Sequence, residues 1–280
     1  MKNSKANIFV KGKGVPIVLL HSSMSSKLQW YGLMESLHRQ YQVILVDLYG
    51  YGDSPFPPKK ETFCLSDEIA LVESLLADII PPDEPFHLVG HSYGGAVGLR
   101  FCYKEIEQAR ATPRILSLAL FEPVAFHLLP ENDEMWDQVS RQKEIIFSFM
   151  LNKQYSAAAE YFIDFWSGAG TFAGFPAIIR QTFLEAIHKL PLDFRALVGE
   201  PLSLEDYSKI KQPVCLMAGR QSPLMAQRVS VLLAEKLPNC RLEWIDGGHM
   251  APVYRAEEVN AVIKTFIRGV PPPFSHRWGQ

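Results

Sequence analysis

The sequence predicts an α/β fold in which a mostly parallel β-sheet is flanked by helices and carries one helical cap insertion. Short, continuously apolar runs alternate with helix-forming stretches along the chain, which is typical of parallel strands buried on both faces. Glycine, serine, histidine or acidic residues follow these runs, at the strand ends where such sheets gather their functional groups. A chain of 280 residues that is 48% hydrophobic is long enough to bury a large core.

The first two predicted strands lie near the N-terminus. Residues 17–20 form an apolar run that ends at His21-Ser22-Ser23, and residues 43–46 form a second that ends at an acidic, glycine-containing loop. Short apolar runs bounded by turn-forming residues favour buried strands over helices.

A third apolar run, residues 86–89, leads into Gly90-His91-Ser92-Tyr93-Gly94 and then into a helix-forming stretch at residues 96–103. The pattern Gly-x-Ser-x-Gly between a strand and a helix is typical of a sharp turn that presents a nucleophilic serine, here Ser92. Glycines are needed because side chains at the flanking positions would collide with the adjoining strand and helix. An ordinary glycine-rich turn is the alternative interpretation of the pattern on its own.

Three further strands are predicted later in the chain, at residues 116–121, 214–217 and 242–245. The first of them is followed directly by Glu122. The last is followed by Gly247-Gly248-His249 and then by a predicted terminal helix at residues 256–267.

The long segment between the fourth and fifth of the six predicted strands is predicted to be helical. Residues 127–205 contain no strand-like run but several helix-forming ones, including residues 136–151 and 155–166. We therefore predict a core of residues 1–126 and 206–280 and a helical cap of residues 127–205. The cap is rich in aromatic side chains, which either line an apolar pocket or pack the cap onto the core. Gly168, Gly170 and Gly174 interrupt its helices.

The order of these motifs resembles the α/β-hydrolase superfamily, and the resemblance covers nearly the whole chain, most weakly in the segment predicted as the cap. The resemblance implies an α/β-hydrolase sheet, with Ser92 as nucleophile and His249 as general base, since the family places its histidine in the loop after the last strand. A solvated loop histidine is the alternative for His249. The resemblance also implies a structural role for His21, which braces the loop that it begins.

The acidic member of the implied triad departs from the commonest family pattern. Relatives carry an aspartate in the loop that here reads Gly219-Arg220-Gln221-Ser222-Pro223, so Ser222 occupies the expected acid position. A serine cannot offset the charge of an imidazolium as a carboxylate does. The resemblance implies Glu122 instead, since some members place their acid directly after the equivalent strand. Asp246 is the alternative acid, and a structural carboxylate is the alternative role of Glu122.

The resemblance also implies an oxyanion hole built from two backbone amides, those of Ser23 and Tyr93. Ser22 stands where the family usually has a glycine, which leaves both donors in place. Each such donor stabilises the transition state by roughly 3 to 4 kcal/mol. A merely polar turn is the alternative for the serine-rich loop that contains Ser23.

Composition excludes several other classes of function. A net charge of -2 without a basic cluster gives no support for nucleic-acid binding. No apolar run is long enough to cross a membrane, and the first ten residues lack the apolar segment of a signal peptide, so a cytoplasmic location is expected. The four cysteines are scattered, which favours buried free thiols over disulfides or a zinc site. We expect neither a metal nor a cofactor.

The function that these inferences favour is a serine hydrolase, most specifically a carboxylesterase that cleaves a small to medium apolar ester through an acyl-enzyme on Ser92. The expected partner is a small-molecule substrate, without nucleic acid or membrane, and the sequence indicates no oligomeric state. Carbon-carbon bond hydrolases, lactonases, thioesterases and perhydrolases share this machinery. A non-catalytic ligand receptor on the same fold is the alternative from another class.

Overall fold

The computed structural model describes residues 6–109 and 113–271, and within them seven strands form one sheet. The strands are β1 (Ile8–Lys11), β2 (Pro16–Leu20), β3 (Gln42–Val46), β4 (Phe86–His91), β5 (Ile115–Phe121), β6 (Val214–Gly219) and β7 (Cys240–Ile245). Their order is β1-β3-β2-β4-β5-β6-β7, and only the β1–β3 pair is antiparallel among these described strands. The mostly parallel α/β sheet and its six predicted strands are confirmed, whereas β1 was not predicted.

Helices cover both faces of this sheet. They are α1 (Tyr31–Leu37), α2 (Leu65–Leu76), α3 (Tyr93–Glu107), α4 (Glu134–Leu151), α5 (Tyr155–Ser167), α6 (Thr171–Gly174), α7 (Ala177–Ala186), α8 (Leu190–Val198), α9 (Leu204–Tyr207), α10 (Leu224–Lys236), α11 (Ala251–Tyr254) and α12 (Ala256–Gly269). Short 3₁₀ turns span Lys27–Trp30, Phe126–Leu128 and Ile187–Lys189.

The continuous apolar runs of the strands follow from this double coverage. Along β2, Val18 and Leu20 belong to the apolar cluster that includes α2, α3 and α10, whereas Ile17 and Leu19 belong to the cluster that includes α1 and α12. Successive strand residues point to opposite faces, so both sets must be apolar when both faces are packed. All four side chains are fully buried.

The described residues between β5 and β6 form helices and turns, from the turn at Phe126–Leu128 to α9. Asp133 caps the first of these helices, since its side chain accepts a hydrogen bond from the Met135 backbone amide. Gly168 and Gly170 separate α5 from α6, and Gly174 is the last residue of α6. The division into a core and a cap stays a prediction. The predicted core also includes residues 1–5, 110–112 and 272–280, which lie outside the described residues.

Among the described residues, no helix is both long and apolar enough to span a bilayer. No group of three or more His, Cys, Asp or Glu side chains there is arranged to hold a metal ion. The four cysteines are free, as expected, but the prediction that they are buried is wrong for Cys64 and incomplete for Cys240. Cys64 is exposed because it precedes α2 as its N-terminal cap, where its Sγ faces Asp67.

Candidate active site

Ser92 lies on the sharp turn between β4 and α3. Its backbone has φ 54° and ψ -117°, a conformation that a non-glycine residue adopts only when its surroundings enforce it. The flanking glycines make the turn possible. A Cβ at Gly90 would lie 2.6 Å from the Gly94 carbonyl oxygen, and one at Gly94 would lie 2.4 Å from the His21 carbonyl oxygen. The turn therefore directs the Ser92 side chain to the carboxyl ends of the strands.

His249 connects Ser92 to Glu122. The Ser92 hydroxyl lies 2.9 Å from His249 Nε2, and Glu122 Oε2 lies 2.5 Å from His249 Nδ1. With the proton of the neutral ring on Nδ1, His249 donates to Glu122 and accepts from Ser92. The three residues are 7%, 3% and 0% exposed for Ser92, His249 and Glu122, so little water screens their interactions. The geometry suits transfer of the serine proton to the imidazole while a carboxylate faces its other nitrogen.

Glu122 is held at its position by the neighbouring strand. It follows β5 directly, with φ 43°, and its backbone amide donates to the Met217 carbonyl at 2.9 Å. Its second carboxylate oxygen, Oε1, accepts from the Gly219 backbone amide at 2.7 Å. Both oxygens are thus engaged, one by β6 and one by His249, which fixes the direction of the carboxylate.

The other acid positions considered from the sequence do not contact His249 in this way. Asp246 is exposed, and its side chain accepts from Gln221 at 3.3 Å. Ser222, at the usual acid position, is buried, and its hydroxyl has no hydrogen-bond partner among the described residues. The structure therefore brings Ser92, His249 and Glu122 together and leaves Asp246 outside.

The backbone amides of Ser23 and Tyr93 are the two donors of the predicted oxyanion hole. Within the described parts of the chain, neither amide donates a hydrogen bond to another protein atom. The two loops are joined next to them, because the Gly94 amide donates to the His21 carbonyl at 3.1 Å. Two backbone N–H groups without a protein acceptor are suited to stabilise a substrate oxygen that becomes negatively charged during the reaction.

His21 braces this loop. Its Nδ1 donates to the Ser22 carbonyl at 2.7 Å, and its Nε2 accepts from the Leu48 amide at 3.1 Å. Burial lowers the pKa of His21, so the ring is neutral and can both donate and accept. Ser22 makes a further connection, since its amide and its hydroxyl both donate to Gln29 Oε1, at 3.1 and 3.0 Å.

His91, the variable residue of the Gly-x-Ser-x-Gly motif, has a role that the sequence analysis did not find. Its Nδ1 accepts from Gln29 Nε2 at 3.1 Å, and its Nε2 donates to the His249 carbonyl at 2.9 Å. Burial, reinforced by His249, holds the pKa of His91 well below its ordinary value. Gln29 and His91 therefore link the Ser22 loop to the His249 loop. No sequence signal reveals such a link, because the three segments are far apart in the chain.

Trp166, from α5, covers the histidine. Its ring centroid lies 4.1 Å from that of His249, with an interplanar angle of 40°. Phe165 and Phe162 pack against it, with centroids at 5.1 and 6.3 Å. Trp166 is buried, and its indole Nε1 has no hydrogen-bond partner among the described residues. The site is therefore closed on this side by aromatic rings.

Known proteins share this arrangement of elements. A sequence model described as the alpha/beta hydrolase family matches residues 17–262. The pimeloyl-[acyl-carrier protein] methyl ester esterase of Aeromonas hydrophila subsp. hydrophila is 32% identical over 269 residues, which cover 91% of this chain and 96% of that protein. The mesoderm-specific transcript protein of Mus musculus is 31% identical over 116 residues, which span 40% of this chain and about a third, 34%, of that protein. A hydrolase from Pseudomonas aeruginosa PA01 has a TM-score of 0.74 and 20% identity, with 93% of each chain covered.

Proposed function

Because the chain belongs to the alpha/beta hydrolase family of enzymes, we propose that it is a serine hydrolase that cleaves a small to medium apolar carboxylic ester. One observation carries the proposal. His249 contacts the Ser92 hydroxyl through one ring nitrogen and the Glu122 carboxylate through the other, which is the geometry that nucleophilic catalysis by serine requires.

The first half of the reaction forms an acyl-enzyme. His249 Nε2 takes the proton of Ser92 Oγ while that oxygen attacks the ester carbonyl, and the carbonyl electron pair moves to its oxygen. The amides of Ser23 and Tyr93 donate to this oxyanion, and Glu122 stabilises the imidazolium. When the tetrahedral intermediate collapses, the ester C–O bond breaks and the imidazolium protonates the departing alkoxide.

The second half releases the acid. A water molecule gives a proton to His249 and attacks the acyl carbon, which again places negative charge between the two amides. Collapse breaks the bond to Ser92 Oγ, which recovers its proton from His249. The enzyme then returns to its starting state without any further reactant.

The nucleophile and the apolar cover favour apolar acyl compounds over alkyl halides. Displacement of a halide by a serine oxygen would leave an ether, which water does not cleave, whereas an acyl-serine is hydrolysed readily. The aromatic rings of Trp166, Phe162 and Phe165 beside His249 suit an apolar acyl or alkyl group. The methyl ester esterase to which the chain is similar supports cleavage of a carboxylic ester.

We also propose that residues 127–205 act as a cap that selects the acyl chain. Trp166 belongs to this segment and contacts the ring of His249, so the helices that carry it border the reacting groups. Replacing residues 127–205 by a short linker should strongly change the preference for acyl chain length. The same replacement should change the rate at which a small phosphonate labels Ser92 far less. Equal preference in both proteins, with folding verified, would contradict this role.

Two measurements test the proposed function. A fluorophosphonate should add one label to the intact protein, seen by mass spectrometry, and none to Ser92→Ala. A series of p-nitrophenyl esters of graded chain length should then be hydrolysed by the wild type and not by that variant. Ser222→Ala is the matched control, since Ser222 is also buried, at 6% against 7% for Ser92, and should keep both properties. Labelling of another residue, or a wild type that binds esters without cleaving them, would refute the proposal.

A further inference from the structure

Three buried charged side chains lie behind the loop that contains Ser23. Lys189 and Glu68 are fully buried, and Asp193 is 1% exposed. Lys189 Nζ donates to Glu68 Oε1 at 2.9 Å and makes a short contact with Asp193 Oδ1. We call these three residues the buried charge cluster. No sequence pattern indicates this cluster, since a lysine and an aspartate four residues apart are usually a solvated helix pair.

The buried charge cluster contacts both residues that supply the amides of the proposed oxyanion hole. The Ser23 hydroxyl donates to Asp193 Oδ2 at 2.5 Å, and the Tyr93 hydroxyl donates to Glu68 Oε1 at 3.1 Å. One lysine thus bridges the two carboxylates that hold the side chains of Ser23 and Tyr93.

The remaining carboxylate positions are also occupied. The Tyr51 hydroxyl donates to Asp193 Oδ2 at 2.5 Å, and the Tyr49 amide donates to Glu68 Oε2 at 3.0 Å. Burial, together with the Asp193 carboxylate, raises the pKa of Tyr51 well above its ordinary value, so its hydroxyl remains a donor. Burial disfavours a charged Lys189, but Asp193 and Glu68 outweigh it and raise the pKa of the ammonium group. All four carboxylate oxygens therefore accept hydrogen bonds around a charged lysine.

The lysine is further enclosed by aromatic rings. Lys189 Nζ lies 4.4 Å from the ring centroid of Phe63 and 4.8 Å from that of Tyr93. Such contacts attract a cation, and they leave the ammonium group no room to turn to solvent. Its position is consequently fixed from several directions.

The Ser23 loop needs such an anchor. Met24, the next residue, has φ 55° and is buried, and a non-glycine residue keeps this strained conformation only when its neighbours hold it. The bond from Ser23 to Asp193 joins residues that are 170 positions apart. It ties the strained loop to α8, which lies in the segment predicted to be the cap.

We propose that Lys189 is a positioning residue that sets both oxyanion donors through Asp193 and Glu68, and so couples docking of the cap helices to the oxyanion hole. Lys189 and Asp193 come from the segment between β5 and β6, whereas Glu68 comes from α2 and Tyr93 begins α3. The cap then acts on the transition state as well as on substrate selection. This inference rests on the proposed function.

The test compares Lys189→Met with a matched control, Arg100→Met. Arg100 Nε lies 3.2 Å from Glu200 Oε1, with side chains 11% and 3% exposed, so the control also removes a cation that pairs with a buried carboxylate between α3 and the segment after α8. The readouts are kcat and KM for a p-nitrophenyl ester and the inhibition constant of a trifluoromethyl ketone with the same acyl chain. The ketone forms an adduct with Ser92 that places an anionic oxygen between the two amides.

Lys189→Met should lower kcat by about 100-fold and weaken ketone binding by a similar factor. A displaced amide donor reduces the stabilisation only of states in which the substrate oxygen carries negative charge, and the transition state and the ketone adduct are both such states. KM should change by less than about twofold, since the uncharged ester gains little from the donors. The control should stay within about threefold of the wild type in all three values. Equal losses in both variants, or a change in KM alone, would overturn the proposal.

Milder variants cover the case in which Lys189→Met does not fold. Ser23→Ala and Tyr93→Phe remove the hydroxyls that donate hydrogen bonds to the two carboxylates, while both backbone amides and all charges are kept. Each should lower kcat and ketone affinity in parallel by about 10-fold, within the range for a misplaced donor. Ser23→Thr, which keeps the hydroxyl, should recover most of that loss. Wild-type kinetics in Ser23→Ala and Tyr93→Phe would refute the inference.

The controls separate this inference from the proposed function. If the wild type hydrolyses esters and Ser92→Ala does not, the proposed function holds whatever the cluster variants do, and their insensitivity overturns only the coupling. A wild type without esterase activity overturns both.

Discussion

The two sides of the candidate site are built differently. On the acid side, Glu122 and His249 follow the strands β5 and β7, and Glu122 is fixed by amide and carbonyl groups of β6. On the oxyanion side, the amides of Ser23 and Tyr93 lie on loops held by side chains from α2 and α8. Contacts at neighbouring strand ends therefore position Glu122, whereas the proposed donors depend on contacts between distant segments.

The largest effect is expected from Glu122→Gln, which replaces the carboxylate that contacts His249 by a neutral amide. An amide leaves the fold intact but favours the wrong histidine tautomer, so kcat should fall by about 10⁴-fold. Steady-state hydrolysis of a p-nitrophenyl ester measures the loss, and an unchanged thermal unfolding midpoint shows that the fold is kept. A loss of tenfold or less would mean that Glu122 does not orient His249 or stabilise its imidazolium during the reaction.

Adding Ser222→Asp to Glu122→Gln sharpens the same comparison. If strand ends suffice to place an acid, a carboxylate on the β6 loop should reach His249 and recover part of the lost rate. The same readout applies, with Ser222→Asn in the Glu122→Gln background as the uncharged control. Equal rates in the two double variants would show that the β6 position is no longer within reach.

Gln29→Met tests the link between the two sides. Its amide bonds to Ser22 and to His91, and the apolar replacement removes these bonds while filling a similar volume. Small displacements of the reacting groups reduce rates by up to about 100-fold, and we expect a loss of that order in kcat. Gln227→Met is the control, because Gln227 bonds to the Ser222 carbonyl and makes no bond to Ser22 or His91. Similar losses in both variants would argue against a specific link.

Acid should destabilise the oxyanion side. His21 and His91 have lowered pKa values, chiefly through burial, from 6.5 when unperturbed. Between that value and the lower folded pKa, the unfolded chain binds more protons, so stability must fall as pH falls. Each imidazole contributes up to about 1.4 kcal/mol per pH unit. Urea unfolding between pH 6.5 and pH 5 measures this slope, and His91→Gln should reduce it. An identical slope in that variant would show that His91 is not a source.

The smallest effect is expected from Ser222→Ala. Its hydroxyl is buried without a hydrogen-bond partner among the described residues, so its removal leaves no group newly unsatisfied. Rate and unfolding midpoint should both stay near the wild-type values. A rate loss above about tenfold would mean that Ser222 helps to position Glu122 or His249, a role that its contacts do not indicate.

The sequence predicted the parts of this molecule that depend on local pattern. The apolar runs, the turn at Ser92 and the loop at His249 each lie within a few consecutive residues, and Glu122 follows its strand directly. The edge strand β1 was missed because none of its residues is fully buried and its pattern is short. Lys189 and Asp193 were missed because their burial is decided by α2 and the Ser23 loop, which no local pattern encodes. The catalytic roles, the cap boundaries and the cytoplasmic location stay predictions.

The ring of Trp166 on His249 has a kinetic consequence. With Ser92 only 7% exposed and Trp166 packed on the ring of His249, we expect a substrate to reach the hydroxyl after the helix that carries Trp166 moves aside. The frequency of that opening sets a ceiling on turnover, however reactive the ester is. For activated esters of several acids, kcat should therefore level off at a value that depends neither on the leaving group nor on the acyl group, whereas rate-limiting hydrolysis of the acyl-enzyme would keep a dependence on the acyl group.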